Sequence, residues 1–231
     1  MLKLYHNTLT ARRYSNRLMP DGKVDASYMQ SGGAQSFSTS LAGITAIAVL
    51  PDDGIIIGSG GGFSNSTFFR YFNDSGRRTI ARLKPNGELD SAFNADSGSN
   101  GVIHDIAVDP GSGRAIVVGD FTRFQGQSRQ SIAMLLPTGK VDNSFLASGP
   151  AISGGTSIRI VRRLSDGKWL VAGQFKQFNG IAAYYLARLS ENGELDQDFS
   201  NQVNTFFASD GVGLLYDVKV LPDGRFLACA A

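Results

Sequence analysis

The chain has 231 residues and a mass of 24.6 kDa, enough to bury a substantial core, and an all-β fold of this length forms a single domain without difficulty. Its 22 basic and 20 acidic residues leave a formal charge of +2, a balance that argues against an electrostatic nucleic-acid binder. A single cysteine, Cys229, excludes an intramolecular disulfide and a cysteine-based metal site, and no apolar run is long enough to insert into a membrane.

From the N-terminus, Met1-Leu2-Lys3-Leu4-Tyr5-His6-Asn7 lacks the continuous apolar stretch of a secretory signal, which predicts a soluble chain not addressed to secretion. Only 18% of residues are charged and 28 are glycine, so solubility rests on neutral polar groups and turns, as suits an extracellular β-protein. The arginine pairs at 12–13, 77–78 and 162–163 read as solvated or locally paired surface groups.

The first recognisable element is Arg17-Leu18-Met19-Pro20-Asp21-Gly22-Lys23-Val24-Asp25-Ala26-Ser27-Tyr28, two short strands around a Pro-Asp-Gly turn. Ile44-Thr45-Ala46-Ile47-Ala48-Val49-Leu50-Pro51 follows, and its alternation of Ile47 with Val49 has the period of a strand with one buried face. After Gly58 comes a long connection, residues 59–78, rich in glycine and aromatic residues.

The first element then returns in stronger form. Ile80-Ala81-Arg82-Leu83-Lys84-Pro85-Asn86-Gly87-Glu88-Leu89-Asp90-Ser91-Ala92-Phe93 is matched by residues 132–145 and again by residues 186–199. The second element recurs at Ile103-His104-Asp105-Ile106-Ala107-Val108 and at Tyr216-Asp217-Val218-Lys219-Val220. Between them lie apolar runs such as Ala115 to Val118 and Trp169 to Ala172, apolar on both faces and therefore enclosed by neighbouring sheets. The turn glycines fall at 22, 87, 139 and 193, giving intervals of 65, 52 and 54 residues, the length of a four-stranded propeller blade. No window shows sustained helical periodicity, so no helix is predicted.

The paired motifs, Ile-Ala-Arg-Leu-x-Pro-x-Gly-x-Leu-Asp-x-x-Phe followed by Ile-Ala-Val-x-Pro and Val-Val-Gly-Asp-Phe-Thr-x-Phe-x-Gly, resemble the delta-60 repeat family of β-propellers over residues 12–231. The resemblance implies an all-β propeller of four recognisable repeats, with residues 59–78 as an inserted loop. It also implies a binding or scaffold module of bacterial surface, exported or phage structural proteins, and no chemistry. Two arrangements stay open. The first strand closes the last blade of a four-bladed ring, or the chain is the front of a longer propeller, which its abrupt apolar ending favours. Two copies depart from the pattern: Tyr14-Ser15-Asn16-Arg17 replaces the start of the first motif, and Arg163 stands where the others have Val49, Val108 and Val220. That arginine is expected at a bulge or edge.

Several constellations invite a functional reading. Asp25, Asp90, Asp142 and Asp196 recur at one position, each followed by an aromatic residue. They suggest a carboxylate ring for a cation or sugar, but once-per-blade recurrence favours Asx turns with the aromatic ring in the blade interface. The loops 121–126 and 175–180 hold the aromatic and amide groups of a sugar-stacking platform, and their repetition again favours architecture, with Phe124 and Phe178 plugging the gap between blades.

The non-repeated connection is different. An aromatic insertion on a rigid scaffold is where binding resides, and Phe63, Phe68, Phe69, Tyr71 and Phe72 are the candidate partner-binding residues. Its glycine run lacks the Gly-Lys-Ser/Thr of a phosphate loop. The segment 96–101 departs from a calcium loop because Ala107 stands where the bidentate Glu belongs. His6 and His104 have no ligand spacing, and no Gly-x-Ser-x-Gly elbow occurs. No catalytic, cofactor-binding or metal-binding residue is therefore assigned, and no enzyme is expected.

The function expected is that of a structural and binding propeller of a phage virion, tail- or fibre-associated, which explains an extracellular composition without a secretory signal. Its partners would be other virion or surface proteins or a host-surface glycan, within an oligomer or larger assembly. The alternatives are a bacterial surface or exported propeller that binds glycans or proteins and, less favoured, a glycan-processing enzyme.

Overall fold

The computed structural model describes residues 17–28, 44–59, 79–146, 152–153, 157–207 and 215–230. Three complete units follow one another, each a three-stranded antiparallel sheet. The first contains β1 (Ile44–Val49), β2 (Ile55–Ser59) and β3 (Ile80–Leu83). The second contains β4 (Val102–Val108), β5 (Ala115–Asp120) and β8 (Ile132–Leu135), with a hairpin of β6 (Arg123–Phe124) and β7 (Gln127–Ser128) between the last two. The third contains β10 (Ser157–Arg163), β11 (Trp169–Gln174) and β14 (Leu186–Leu189). Beside it, β12 (Gln177–Phe178) pairs with both β13 (Ile181–Ala182) and β9 (Ile152–Ser153). A last pair, β15 (Leu215–Val220) and β16 (Phe226–Ala230), begins a further unit.

Each third strand runs through the Pro-x-Gly or Glu-Asn-Gly turn into a return segment that makes a single bridge: Leu83 with Leu89, Leu135 with Val141, and Leu189 with Leu195. The fourth strand inferred from the repeat length is therefore reduced to one paired residue. In the 17–28 hairpin, Leu18 bridges Val24 in the same way.

The middle strand of each unit explains how the units hold together. Side chains alternate along a strand, and in β5 Ala115 and Val117 join the core shared with the first unit, whereas Ile116 and Val118 join the core shared with the third. In β11, Trp169 and Val171 face the second unit while Leu170 and Ala172 face β15. All eight of these residues are buried. The cores lie between sheets, not within them, so no unit buries its faces alone.

The edge strands share one irregularity. The pairing register shifts at Thr45 in β1, His104 in β4, Arg159 in β10 and Tyr216 in β15. A bulge at this place increases local twist and leaves one residue unpaired. Opposite it in the third unit stands Gly173, where an added Cβ would lie inside contact distance of the Ser157 carbonyl oxygen and 2.8 Å from Ile158 Cα. The close approach of β10 and β11 requires glycine there.

One expectation needs correction. Helix α1 (Gln197–Phe207) is present although no helix was predicted. Asp196 caps it: the Phe199 N–H donates to Asp196 Oδ1 at 3.1 Å and the Ser200 N–H donates to its carbonyl at 3.1 Å. Phe199, Val203 and Phe207 then recur every four residues on the face packed against β14 and β15, a stripe too short to stand out against the Asp-x-x-Phe motif that contains its first residue. Arg163 stands at a sheet edge, one of the two places expected of it. It pairs in register with Trp169 on the edge strand β10, and the bulge lies at Arg159.

Candidate functional site

The recurring aspartates are consumed by local architecture. In each copy the Asp N–H donates to the carbonyl of the residue eight positions earlier, Arg17, Arg82, Met134 or Arg188. The carboxylates close Asx turns: Oδ1 accepts the N–H of Ser27, Ala92, Ser144 or Phe199. The second oxygen takes a cation. Arg17, Arg82 and Arg188 donate through Nε to Asp25, Asp90 and Asp196 at 2.7, 2.6 and 3.0 Å. The same guanidinium groups lie over Tyr28, Phe93 and Phe199, at 5.0, 5.3 and 4.6 Å from the ring centroids.

The motif is thus a clasp of arginine, aspartate and aromatic ring that fastens the return segment to its strand. The departure in the first copy keeps it, because Arg17 occupies the place of Arg82. The second complete unit has Met134 there, and Asp142 is met instead by Arg114, at the start of the neighbouring strand, at 2.8 Å. In the third unit the residue corresponding to Arg114 is Lys168, and it joins Arg188 on Asp196.

These contacts set the acidities. The Ser27 hydroxyl and N–H, with Arg17 behind them, hold Asp25 at about 2. At Asp196 burial opposes ionisation, but the Lys168 ammonium, the Phe199 N–H and Arg188 outweigh it and also hold the carboxyl at about 2. Burial likewise opposes ionisation at Asp90 and Asp142, and their partners still hold both below the ordinary value. Carboxylates so committed are fixed anions with their lone pairs occupied.

The aromatic loops are equally closed. Phe121, Phe124, Phe175 and Phe178 are buried, and each pair meets edge to face, with centroids 5.6 and 6.4 Å apart. Phe124 sits in the core between the first and second units and Phe178 in the core between the second and third. No ring face in these loops is open to a sugar.

Sequence reasoning missed a charged cluster on the edge strands. Arg162 of β10 donates through Nη1 to Asp105 of β4 and through Nη2 to Asp217 of β15, the latter at 3.2 Å. Asp105 also accepts the Val161 N–H at 3.0 Å. Both aspartates follow a bulge, and each accepts the N–H of the next residue, Ile106 or Val218, at 2.9 and 2.8 Å. One arginine therefore ties three successive edge strands together. Its neighbour Arg163 lies over the Trp169 ring at 4.7 Å and contacts Asp109 and Glu191 at 3.2 and 3.4 Å. The available signal was the Asp after a bulge residue in both His104-Asp105-Ile106 and Tyr216-Asp217-Val218.

The five aromatic candidates, Phe63, Phe68, Phe69, Tyr71 and Phe72, lie outside the described residues. The two ends of their segment are well defined. The Ser59 N–H donates to the Thr79 carbonyl at 2.9 Å, the bond that Gly119 makes with Ser131 and Gly173 with Tyr185. Thr79 Oγ1 accepts the Ser99 N–H at 2.8 Å, and both residues are buried. Ser59 and Thr79, the residues that flank positions 60–78, are therefore joined directly. Positions 60–78 number 19, against 11 at the corresponding places, so eight of the extra residues in the first interval fall here and the others precede Ser59.

Residues 51–93, 112–145 and 164–199 match the model of a family described as a domain of unknown function (DUF5122) beta-propeller. The three matched stretches begin at or just before the middle strand of a complete unit and end at the aromatic residue of its clasp. With middle strands buried on both faces between successive sheets, this decides the architecture. The chain is a β-propeller repeat protein. No curated protein matches it. The complete units are its blades, the cores are the seams between blades, and the clasp closes each blade at its outer strand. Among the described residues of the propeller no group of three or more histidine, cysteine or acidic side chains is arranged to hold a metal ion, and no helix is long and apolar enough to cross a membrane.

Proposed function

We propose that this propeller is a structural and binding module without chemistry of its own, working as a component of a phage virion, in the tail or on a fibre. There it contacts other virion proteins or a host surface. The observation that carries the reading is the Ser59–Thr79 hydrogen bond, which joins the residues flanking the long aromatic-rich stretch 60–78. A propeller blade supplies the rigid base, and a longer-than-standard, aromatic-rich segment whose flanking residues are joined on it is the arrangement in which binding residues are presented to a partner.

The commitment of the recurring carboxylates to arginine, lysine and backbone N–H groups supports a scaffold role for the rest of the chain. The burial of the loop phenylalanines removes the repeated loops as a sugar platform and leaves residues 60–78 as the candidate contact.

The test uses density-gradient fractions of a lysate that contains the phage, probed with an antibody to the propeller. The intact protein bands with virus particles. A variant in which residues 60–78 are replaced by the sequence of residues 120–130 folds with the same melting curve but stays in the soluble fractions. Absence of the intact protein from every particle fraction sinks the virion reading. Equal banding of both forms shows that residues 60–78 are not the contact.

A further inference from the structure

The two sides of the blades carry different charge. Each middle strand ends where its inner strand begins, so the bulges and the connections to the outer strands, residues 120–131 and 174–185, lie on one side. The turns from inner to middle strand, residues 109–114 and 164–168, lie on the other, together with the returns from the outer strands. On the bulges and connections of the second and third blades the acidic and basic residues are Asp120, Arg123, Arg129, Arg159 and Lys176, with His104 beside them. One acid stands against four cations.

That one carboxylate is taken. His104 Nε2 lies 2.9 Å from Asp120 Oδ2. In the third blade the bulge residue is Arg159 and the residue after the middle-strand glycine is Gln174, so an arginine and an amide stand where the second blade has His104 and Asp120. Arg159 is exposed. Arg123 donates through Nη1 to the Gly126 carbonyl at 3.1 Å, and Arg129 donates to the Ser128 carbonyl, Gln127 Oε1 and Asn143 Oδ1 at 2.8, 3.2 and 2.7 Å, all of them neutral acceptors. Among the described residues every other arginine, from Arg17 in the first clasp to Arg225 in the last turn, lies 3.2 Å or less from a carboxylate. These three meet none.

A guanidinium offers a planar fork that fits a carboxylate with two parallel hydrogen bonds, and three left without one on the same side mark a surface suited to an anion from outside. The phenylalanines of these connections are buried, and Tyr184 and Tyr185 pack into the core beside helix α1. Ile181, 37% exposed, is the one large apolar side chain they turn outward. A protein partner therefore finds no apolar centre for its contact, and a single-stranded nucleic acid finds no open ring on which to stack a base. A charged sugar needs neither. We propose that this side of the second and third blades binds an acidic polysaccharide, with Arg123, Arg129, Arg159 and Lys176 taking its carboxylates. The inference rests on the reading of the propeller as a binding module, names the chemistry of a surface glycan, and uses residues other than 60–78.

The experiment passes the purified full chain over immobilised polygalacturonate, a polymer of a uronic acid, and over dextran, which is neutral, at rising salt. Retention on polygalacturonate that weakens with salt, and none on dextran, is expected. Arg123→Gln combined with Arg159→Gln, both at exposed positions, weakens binding about tenfold or more and leaves the melting curve unchanged. Arg225→Gln, on the opposite side and paired with Asp223, binds as the parent does. No retention on polygalacturonate, equal retention on dextran, or a double variant that binds like the parent would each overturn the proposal. Equal retention on polyglutamate or duplex DNA would overturn it too, because the surface would then suit an acidic protein or a nucleic acid as well. Should the double variant fail to fold, Lys176→Gln, at another exposed position, gives the same comparison. Since the protein is purified, failure here is distinct from its absence from virus particles.

Discussion

Arg114→Ala tests whether the clasp is one device built in two ways. Asp142 is 9% exposed. Its Oδ1 keeps the Ser144 N–H and hydroxyl at 2.9 and 2.6 Å after the substitution, but Oδ2 loses the Arg114 guanidinium at 2.8 Å. An unpaired buried polar atom costs about 1–3 kcal/mol, and breaking a fully buried ion pair about 3–5 kcal/mol. The Arg114 contact is not aligned as a hydrogen bond, since its Nε and Nη2 find no acceptor in good geometry. The cost therefore falls in the lower range, at about 2 kcal/mol, or a fall in Tm of about 4–8 °C for a chain of this size.

Lys168→Ala is the matched comparison. Asp196 Oδ2 keeps Arg188 Nε at 3.0 Å and Nη2 at 2.9 Å, so the loss stays below about 1 kcal/mol. Adding Met134→Arg to Arg114→Ala puts a guanidinium where Arg82 and Arg188 stand and recovers part of the loss. Thermal and urea unfolding followed by circular dichroism give all three values. Equal losses for Arg114→Ala and Lys168→Ala would refute the reading that Arg188 backs up Lys168 at Asp196 while only Arg114 meets Asp142.

Three further outcomes follow from the same geometry. Phe178→Ala, which empties a fully buried place in the seam between the second and third blades, lowers stability by about 3–5 kcal/mol, whereas Phe206→Ala, on a residue 62% exposed, changes it by less than about 1 kcal/mol; similar losses in urea titrations would contradict the burial described. Gly173→Ala brings a methyl group against backbone atoms of β10 that no rotamer change can move, and costs about 1–3 kcal/mol, seen as a lowered urea midpoint. On acidification, the stability contributed by Asp196 is fully present above its ordinary value of 3.8 and is lost as pH falls towards about 2. Asp196→Asn therefore flattens the stability profile in that window, and an unchanged slope between pH 4 and pH 2 would count against the pairing.

Much of the architecture was legible because repetition carries it. Ile116 and Val118 recur as Leu170 and Ala172, so a strand apolar on both faces could be recognised without knowing what covered it. The role of Asp90 and Phe93 was readable from their once-per-blade spacing. Helix α1 was not, because Asp196 is at once the clasp residue and the helix cap, and only Val203 and Phe207 distinguish this copy from the others. Arg162 was read as solvated or locally paired because its two partners, Asp105 and Asp217, lie 57 and 55 positions away, a separation that becomes contact only when edge strands of successive blades adjoin. The extra length of the first interval was visible as one number, but its division at Ser59 needed the hydrogen bond to Thr79.

The alternation along β11 gives the molecule an intrinsic reporter. Trp169 is the sole tryptophan of the chain, and it points to the second blade while Leu170, bonded to it, points to β15. Its emission therefore registers the parting of the second and third blades and is blind to the loss of the β15–β16 pair. A melt watched at once by tryptophan emission and by backbone dichroism would show which end of the array comes away first, with no label added.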